Sequence, residues 1–544
     1  MAREPAETGG PKAAMRPGRR IAAALTLARN PRRTGFVLWS WIAGRRLRAR
    51  QALAALIGID HRLTLPPGIL DRFPVAPPVP DADIRVLTAP GHALVADAHE
   101  TFAAAFAADP TLHALYGDAL VQGTPGGPVL PLLRSAFDPA LLMAVDDLGP
   151  VLALRRASLP TASLDPSRDI PAMAAAFRIA ERFGPAAIGH LPGIVSIWRP
   201  WMAEAADAAR GREPSREARL AIVRDHLDRT GQAGARLAID GDGVIAVAHP
   251  LPDPPPAVTV IVPTRDRLDL LRPCVASLRG CTDWPEIEIL VCDNDSREAG
   301  TRAYFQALEG EGAARIVACP GPFNFAAMNN AAAAFARGKL LAFVNNDVEA
   351  FEPDWLGRMA REALRPDVGA VGAKLLDGAG RIQHGGIVLG TGGLVTHAHR
   401  HFPGDAPGYG ARLRATHAVS AVTAACLVVE AAKFRRVGGF DAAHFAVDFN
   451  DVDLCLRLSA AGYRTLMVPG AVLHHREAAS RSWTPDACAR HNREIVELRR
   501  RWGPLLAQDP HYHPGFDPDR STHARLRAGF FADEAALSVR RPSY

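Results

Sequence analysis

The chain has 544 residues, of which 48% are hydrophobic and 22% charged. That length holds several domains with cores of their own, and the composition excludes a disordered or fibrous chain. Net charge is only +6, and residues 1–50 hold twelve Lys and Arg against two Glu, so the basic excess is local. No stacking aromatics interleave a basic stripe, which argues against nucleic acid as a partner.

Residues 1–80 form the first region. Basic clusters alternate with apolar turns around Trp39 and Trp41, and the segment leaves through the Pro-rich "FPVAPPVPDAD". Two readings stand: a helix lying on an anionic membrane surface, or a solvated basic helix packed on its own protein. No run of 18 apolar residues predicts a transmembrane helix, and no signal-peptide pattern opens the chain. The seven cysteines all lie from Cys274 onward, none in a C-x-x-C pair, and read as reduced thiols. A cytoplasmic protein is expected, either soluble or peripheral at the inner face of the membrane.

Residues 81–250 alternate short apolar runs such as "DIRVLTAP" and "GIVSIWRPW" with Ala-rich helical stretches, an α/β pattern. Prolines at 251–256 then predict a stiff linker. From residue 257 a second α/β pattern is far stronger. "AVTVIVPT" is a strand and leads into a helix with Leu268, Leu270 and Leu271; "EIEILVCDNDS", "ARIVACP" and "KLLAFVNNDVE" are three further strands, with "NFAAMNNAAAAFARG" a helix. Strands alternating with helices imply parallel crossovers, and ligands then sit beyond the carboxyl ends of the strands. Three strands end in polar clusters: Thr264–Asp266, Asp293–Ser296 and Asn345–Asp347. One such end is explained by a helix N-cap; three imply a shared binding rim. Residues 483–544 read as a helical extension and tail.

There is no G-x-G-x-x-G after the first strand and no G-x-x-x-x-G-K-[ST], which removes support for dinucleotide binding and P-loop hydrolysis. A carboxylate at Asp293 suits a pyrimidine imide N–H. Asp347 suits a hard divalent cation, Mn²⁺ or Mg²⁺, bridging a diphosphate. That pair of properties describes a nucleotide-sugar site.

The segments "VTVIVPTRDR", "ILVCDNDS", "GPFNFAAMNNAA", "LLAFVNNDVEAFEPDWL", "VGAVGAKLLDGAGRIQHGGIVLG", "SAVTAACLVV", "VGGFD", "FNDVDLCLRLSAAGYR" and "VLHHREAASR" follow one another over residues 257–482. In that order they resemble a family 2 glycosyltransferase, within it the bacterial group making O-antigen, rhamnan and related surface polysaccharides. The resemblance implies a GT-A-type, Rossmann-like mixed sheet flanked by helices. It makes "NND" the group's version of the DxD motif, with Asp347 and His475 as metal ligands. Pro263, Thr264, Arg265, Asp293, Asp295, Asn330 and Asn346 become nucleotide-sugar contacts. Asp451 becomes the general base of an inverting enzyme, because an acceptor hydroxyl is a poor nucleophile until its proton is taken. Asn450 stands where the family commonly has Glu, and Asp453, two residues after Asp451, competes for the base role or is a helix-start carboxylate favoured by the dipole. His474 is expected to pack and Arg481 to neutralise diphosphate. The histidine-rich stretch 381–404 reads as a mobile loop and edge hairpin near the acceptor, with His384 and Trp355 as acceptor contacts.

Residues 81–250 resemble the back half of such a domain, but where the DxD strand is expected they read "RVLTAPGHAL", without a carboxylate. A degenerate second GT-A-like region is therefore expected, with an unrelated α/β scaffold as the alternative. The implied donor is TDP-rhamnose or a UDP-hexose, and the implied acceptor a growing polysaccharide or lipid-linked glycan. Two rival readings are a sugar nucleotidyltransferase and a non-catalytic glycan- or membrane-docking protein.

Overall fold

A computed structural model describes residues 65–476 apart from 78–80, 90, 150, 159–170, 200 and 203–215, then 484–542 apart from 519–522 and 532–537, with scattered positions before 65. The expected surface helix around Trp39 and Trp41 and the expected diphosphate contact Arg481 lie outside the described residues.

The strand Val258–Thr264 is almost wholly β-branched and buried along its length. Such a run suits a parallel strand covered on both faces. It pairs in parallel with Ile287–Asp293 on one side and with Leu340–Val344 on the other, and Arg315–Ala318 adds a fourth parallel strand beyond Ile287–Asp293. Beyond Leu340–Val344 lies the antiparallel Cys426–Glu430, followed by Val368–Leu376 and Arg464–His475, which are parallel to each other. The result is a mixed sheet with apolar cores on both faces. One core holds Val258, Val260 and Val262 with the helix Trp355–Ala363; the other holds Ile261, Phe343 and Leu427 with the helices Phe325–Phe335 and Asn450–Ala460.

Strand direction fixes where the rim is. Val258–Thr264, Ile287–Asp293, Leu340–Val344 and Arg464–His475 all run the same way, so Thr264, Asp293, Asn345 and His475 come out at one edge. The short strand Val348–Ala350 then turns back antiparallel to Arg464–His475 and sets Val348 opposite His475.

A second sheet precedes this one, and its first strand, Val75–Ala76, lies ahead of the expected boundary at 81. Its connectivity repeats the back half of the larger sheet. Ile84–Leu87, His92–Val95, the helix Ala98–Ala108, Ala114–Gln122, Val129–Leu132, Leu152–Arg155, the helix Ala172–Phe183 and Ile188–Trp198 follow in order. They match Leu340–Val344, Val348–Ala350, Trp355–Ala363, Val368–Leu376, Ile382–His384, Cys426–Glu430, Asn450–Ala460 and Arg464–His475. The pairings match too: Leu152–Arg155 is antiparallel to both neighbours, and Ala114–Gln122 is parallel to Ile188–Trp198. His92 sits opposite Trp198 as Val348 sits opposite His475.

The two sheets are joined by polar and apolar contacts. Asp138 accepts from the Ala418 amide at 2.6 Å, and the Tyr409 hydroxyl meets both the amide and the carbonyl of Leu133. After the helix Pro485–Leu506 the C-terminal segment runs between them: Asp509 accepts from the Leu389 amide at 2.7 Å, and His513 reaches Asp118 at 2.8 Å. The histidine-rich stretch is part of this packing, with His384, His399 and Phe402 at most 1% exposed. Ile387–Leu389 and Val395–His397 form the expected hairpin, and the burial of His384, His399 and Phe402 around it corrects the expectation of a mobile loop: these rings pack on Thr423, Leu413 and His523.

Candidate functional site

The three polar strand ends meet. Thr264 is in register with Asp293, its carbonyl accepts from the Asn294 amide at 2.9 Å, and its hydroxyl accepts from Asn346 Nδ2 at 2.9 Å. Asp293 caps its own turn by accepting from the Ser296 amide at 2.9 Å. Asp295 takes a left-handed φ of 57° and accepts from the Gly321 amide, while Arg265 is exposed beside the buried Pro263. Asp266 Oδ1 accepts from the amides of Arg297 and Glu298 and so ties the first two strand ends together.

Asp347 and His475 are both 6% exposed, and His475 Nε2 lies 3.2 Å from Asp347 Oδ1. His475 Nδ1 donates to Gln383 Oε1 at 3.2 Å, so in the neutral ring Nε2, the nitrogen near Asp347, carries the lone pair. Asp347 Oδ1 is buried without a hydrogen-bond partner, as is Asn345 Oδ1 two residues earlier. Two acceptors facing each other, one of them an orphaned buried oxygen, form the kind of donor set a divalent cation completes. The residues present fit Mn²⁺ or Mg²⁺. Arg267, whose guanidinium is held charged first by Asp269 and also by Asp347, adds positive charge beside this pair.

Asp451 stands on the first turn of the helix Asn450–Ala460, entered through Phe449 at φ 60°. Its Oδ2 accepts from the Ala424 amide at 3.1 Å. Burial raises its carboxyl pKa, against the pull of the Ala424 and Val452 amides and the Thr423 hydroxyl. Contacts run continuously from here to the cation pair. Ala425, next to Ala424, accepts from the Asn345 amide at 3.0 Å, and the Thr423 amide meets His384 Nε2 at 3.4 Å. His384 follows Gln383, the partner of His475. Hydrogen bonds through residues 423–425 thus link the strand end that carries Asp347, and its partner His475, to Asp451. Asp453 belongs elsewhere: fully buried, it meets Arg457 at 2.7 Å, Arg501 at 2.9 Å and Trp502 Nε1 at 3.0 Å. Asn450, buried, donates to the Val447 carbonyl.

Three expected contacts have other surroundings. Trp355 is fully buried in the core with its Nε1–H on Thr282, because it opens the helix Trp355–Ala363 on the face turned to the sheet. It does not reach an acceptor. His384 is fully buried, with Nδ1 2.9 Å from His397 Nδ1 and Nε2 on the Thr423 amide, and burial pushes its pKa down to about 3. With no exposed surface, it does not present its ring to an acceptor. Asn330 closes both ends of its amide on the backbone of Phe440, at 2.7 and 2.9 Å, and so clamps the "VGGFD" turn. That turn needs Gly439: its φ is 68°, and a Cβ there would lie 2.7 Å from Asn330 Oδ1. His474 is exposed and stacks on Phe351, ring centres 4.4 Å apart.

Sequence reasoning missed Gln383, Thr423 and Arg267, since their roles depend on neighbours distant in the chain. It also missed Asp118, His190 and His513, which bring ligand-type atoms within 4.8 Å of one another in full burial. That cluster does not fit a metal. His513 Nδ1 accepts from the Gly515 amide at 2.8 Å, so its Nε2 carries the proton it donates to Asp118 and has no lone pair for an ion. A mainly apolar cavity lined by Leu456, Tyr463, Leu505 and His511 opens at the far end of the Asp451 helix and contains none of the rim residues. Among the described residues no helix is long and apolar enough to cross a membrane.

Comparison with known proteins adds the family. Residues 259–382 match the sequence model of glycosyl transferase family 2. The chain is 40% identical over 356 residues to a protein of Sinorhizobium fredii, covering 63% of this chain and 38% of that protein. It is 34% identical over 434 residues to the O-antigen biosynthesis protein RfbC of Myxococcus xanthus, covering 78% and 32%. To the pre-mycofactocin glycosyltransferase of Mycobacterium tuberculosis it is 28% identical over 289 residues, covering 51% and 56%. The chain thus spans about a third of the length of the first two relatives. Among solved structures, a Pyrobaculum calidifontis mannosyltransferase in complex with GDP-Man and Mn²⁺ is similar at a TM-score of 0.34 and 17% identity, covering 46% of this chain and 68% of that one. Matched in sequence over the strands that build the rim, this chain carries a glycosyl transferase family 2 domain at residues 259–382.

Proposed function

We propose that the chain transfers a glycosyl group from a nucleoside-diphosphate sugar to an acceptor hydroxyl, with inversion at the anomeric carbon. The observation that carries this reading is the run of contacts that links the Asp347–His475 pair to Asp451 through the 423–425 turn. Asp293 and Thr264 receive the nucleoside, with Asp293 accepting an imide N–H. Asp347 and His475 would hold a divalent cation, which would supply positive charge to the diphosphate leaving group. Asp451 takes the proton of the acceptor hydroxyl as that oxygen attacks the anomeric carbon from the face opposite the leaving group. Its raised pKa suits a base that must accept a proton in the transition state.

The first sheet supports a further part of this reading, that residues 75–198 are a degenerate copy without a cation site. Register places Gly91 where Asp347 stands and Trp198 where His475 stands. Strands equivalent to Val258–Thr264 and Ile287–Asp293 are missing from its sheet among the described residues. The relative named for O-antigen biosynthesis makes a growing polysaccharide or lipid-linked glycan the favoured acceptor, with TDP-rhamnose or a UDP-hexose as donor. The basic N-terminal segment would then bring the protein to the inner membrane face.

The test is incubation of the protein and Mn²⁺ with a panel of nucleotide-sugars, with and without glycan acceptors. Release of a nucleoside diphosphate with sugar appearing on the acceptor in inverted configuration supports the reading. Release of pyrophosphate makes it a nucleotidyltransferase instead. No turnover with any donor, while glycan or anionic vesicles bind, leaves a docking protein.

A further inference from the structure

We infer that Gln383 is the positioning residue of the cation site, fixing His475 in the tautomer whose Nε2 is bare. This rests on the reading that Asp347 and His475 hold a divalent cation. Its physical origin is a break in strand alternation. In the antiparallel pairing of Ile382–His384 with Val368–Leu376, Leu376 lies opposite Ile382 and the adjacent Leu375 opposite His384, so Gln383 is the extra residue of a bulge. Successive strand residues normally point to opposite faces, and a bulge re-aims one of them. Here Gln383 reaches His475, while His384, the very next residue, meets His397 and the Thr423 amide.

Both members of the contact are buried, Gln383 at 4% and His475 at 6% exposure, so the hydrogen bond is not traded for water. With its amide oxygen toward Nδ1, Gln383 accepts the ring's proton there. A neutral imidazole has one N–H, so Nε2 faces Asp347 as an acceptor. Without Gln383 the proton is free to sit on Nε2, 3.2 Å from Asp347 Oδ1, where it occupies the lone pair a cation needs. A single amide thereby holds two acceptors apart and open to a cation, at the cost of leaving the carboxylate oxygen unpaired. Partners of metal-bound histidines act in this way elsewhere, and their loss weakens metal binding by about 10–100-fold.

The experiment reads Mn²⁺ affinity directly, from the loss of the free-ion electron paramagnetic resonance signal on titrating the full-length protein. Gln383→Leu keeps volume and removes the acceptor; it is expected to bind Mn²⁺ about 10–100-fold more weakly. Gln383→Glu keeps an acceptor and is expected to restore affinity to wild-type level or better, a rescue that packing alone does not give. Asp347→Asn is the control for the cation reading. If Asp347→Asn loses Mn²⁺ and Gln383→Leu binds like wild type, the positioning role is overturned and the cation site stands. If Asp347→Asn binds like wild type, the cation site fails and Gln383 with it. Should Gln383→Leu not fold, the ¹⁵N shifts of His475 in metal-free wild type decide, assigned against His475→Gln: Nδ1 protonated and Nε2 bare is expected, and a protonated Nε2 overturns the inference.

Discussion

Asp451 and Asp453 lie two residues apart on the first turn of one helix, and their carboxylates have opposite surroundings. Asp451 accepts only from amides and a hydroxyl of the 423–424 turn and its own helix start, and burial raises its pKa. Asp453 lies between Arg457, Arg501 and Trp502 with no exposed surface. The first keeps capacity for a proton; the second has its charge fully matched.

Asp451→Asn should therefore lower turnover by about 10²–10⁴-fold, the range for removing a general base, while leaving nucleotide binding intact. The measurement is kcat for sugar transfer beside calorimetric binding of the nucleoside diphosphate. Transfer at the wild-type rate would remove Asp451 from the mechanism.

Asp453→Asn should act on the fold instead. It leaves Arg457 and Arg501 facing a neutral amide in a buried site, and breaking a buried ion pair costs about 3–5 kcal/mol. Chemical denaturation is expected to show that loss, with the acid limb of the activity profile where wild type has it. A normal stability with a displaced pH profile would reverse the two assignments.

Much of the rim was legible because parallel strands buried on both faces read as apolar runs, and each polar cluster following such a run marks the carboxyl end. "VTVIVPT" and "LLAFV" announce Thr264 and Asn345–Asp347 in this way. What was not legible depends on tertiary pairing. Trp355 follows "FEPD", which reads as loop, yet it starts a helix whose inner face it occupies. The partners of Asp453 come from a helix nearly 50 residues further along, and Gln383 is re-aimed by a bulge that no period of two reveals. The resemblance favoured Asp451 over Asp453, but both are first-turn carboxylates, and the physical ground for the choice lies in packing that the sequence does not show.

If Asp451 is the base, Thr423 helps to set the pH at which it works. Its hydroxyl is among the donors that hold the Asp451 carboxyl down against burial. Thr423→Val removes that donor with little change of shape, so the base pKa rises further. A base must be deprotonated to act, and activity falls as pH drops through its pKa. The acid limb of kcat/KM is therefore expected to move to higher pH in Thr423→Val, with the plateau at alkaline pH largely retained. An unmoved limb, or one displaced to lower pH, would show that the titrating group in that limb is not Asp451.

The structure holds two sheets of related connectivity and, besides Asp347 with His475, a buried cluster of one carboxylate with two histidines, yet the expected stoichiometry is one Mn²⁺ per chain. In the first sheet the positions of Asp347 and His475 are taken by Gly91 and by Trp198, which stacks on His92 at 5.5 Å. Neither supplies a metal ligand. The second grouping, Asp118 with His190 and His513, is closed by hydrogen bonds, because the Gly515 amide occupies His513 Nδ1 and forces the proton onto the nitrogen that meets Asp118. Asp347 pairs a buried, unpartnered oxygen with the imidazole nitrogen that Gln383 leaves bare. Mn²⁺ bound per chain, counted by resonance titration, should be one in wild type, near zero in Asp347→Asn, and still one in His513→Phe, whose cost should appear as lost thermal stability where the C-terminal segment crosses the first sheet. A second equivalent that disappears in His513→Phe would mean that the Gly515 amide swings away and the buried cluster takes a metal after all.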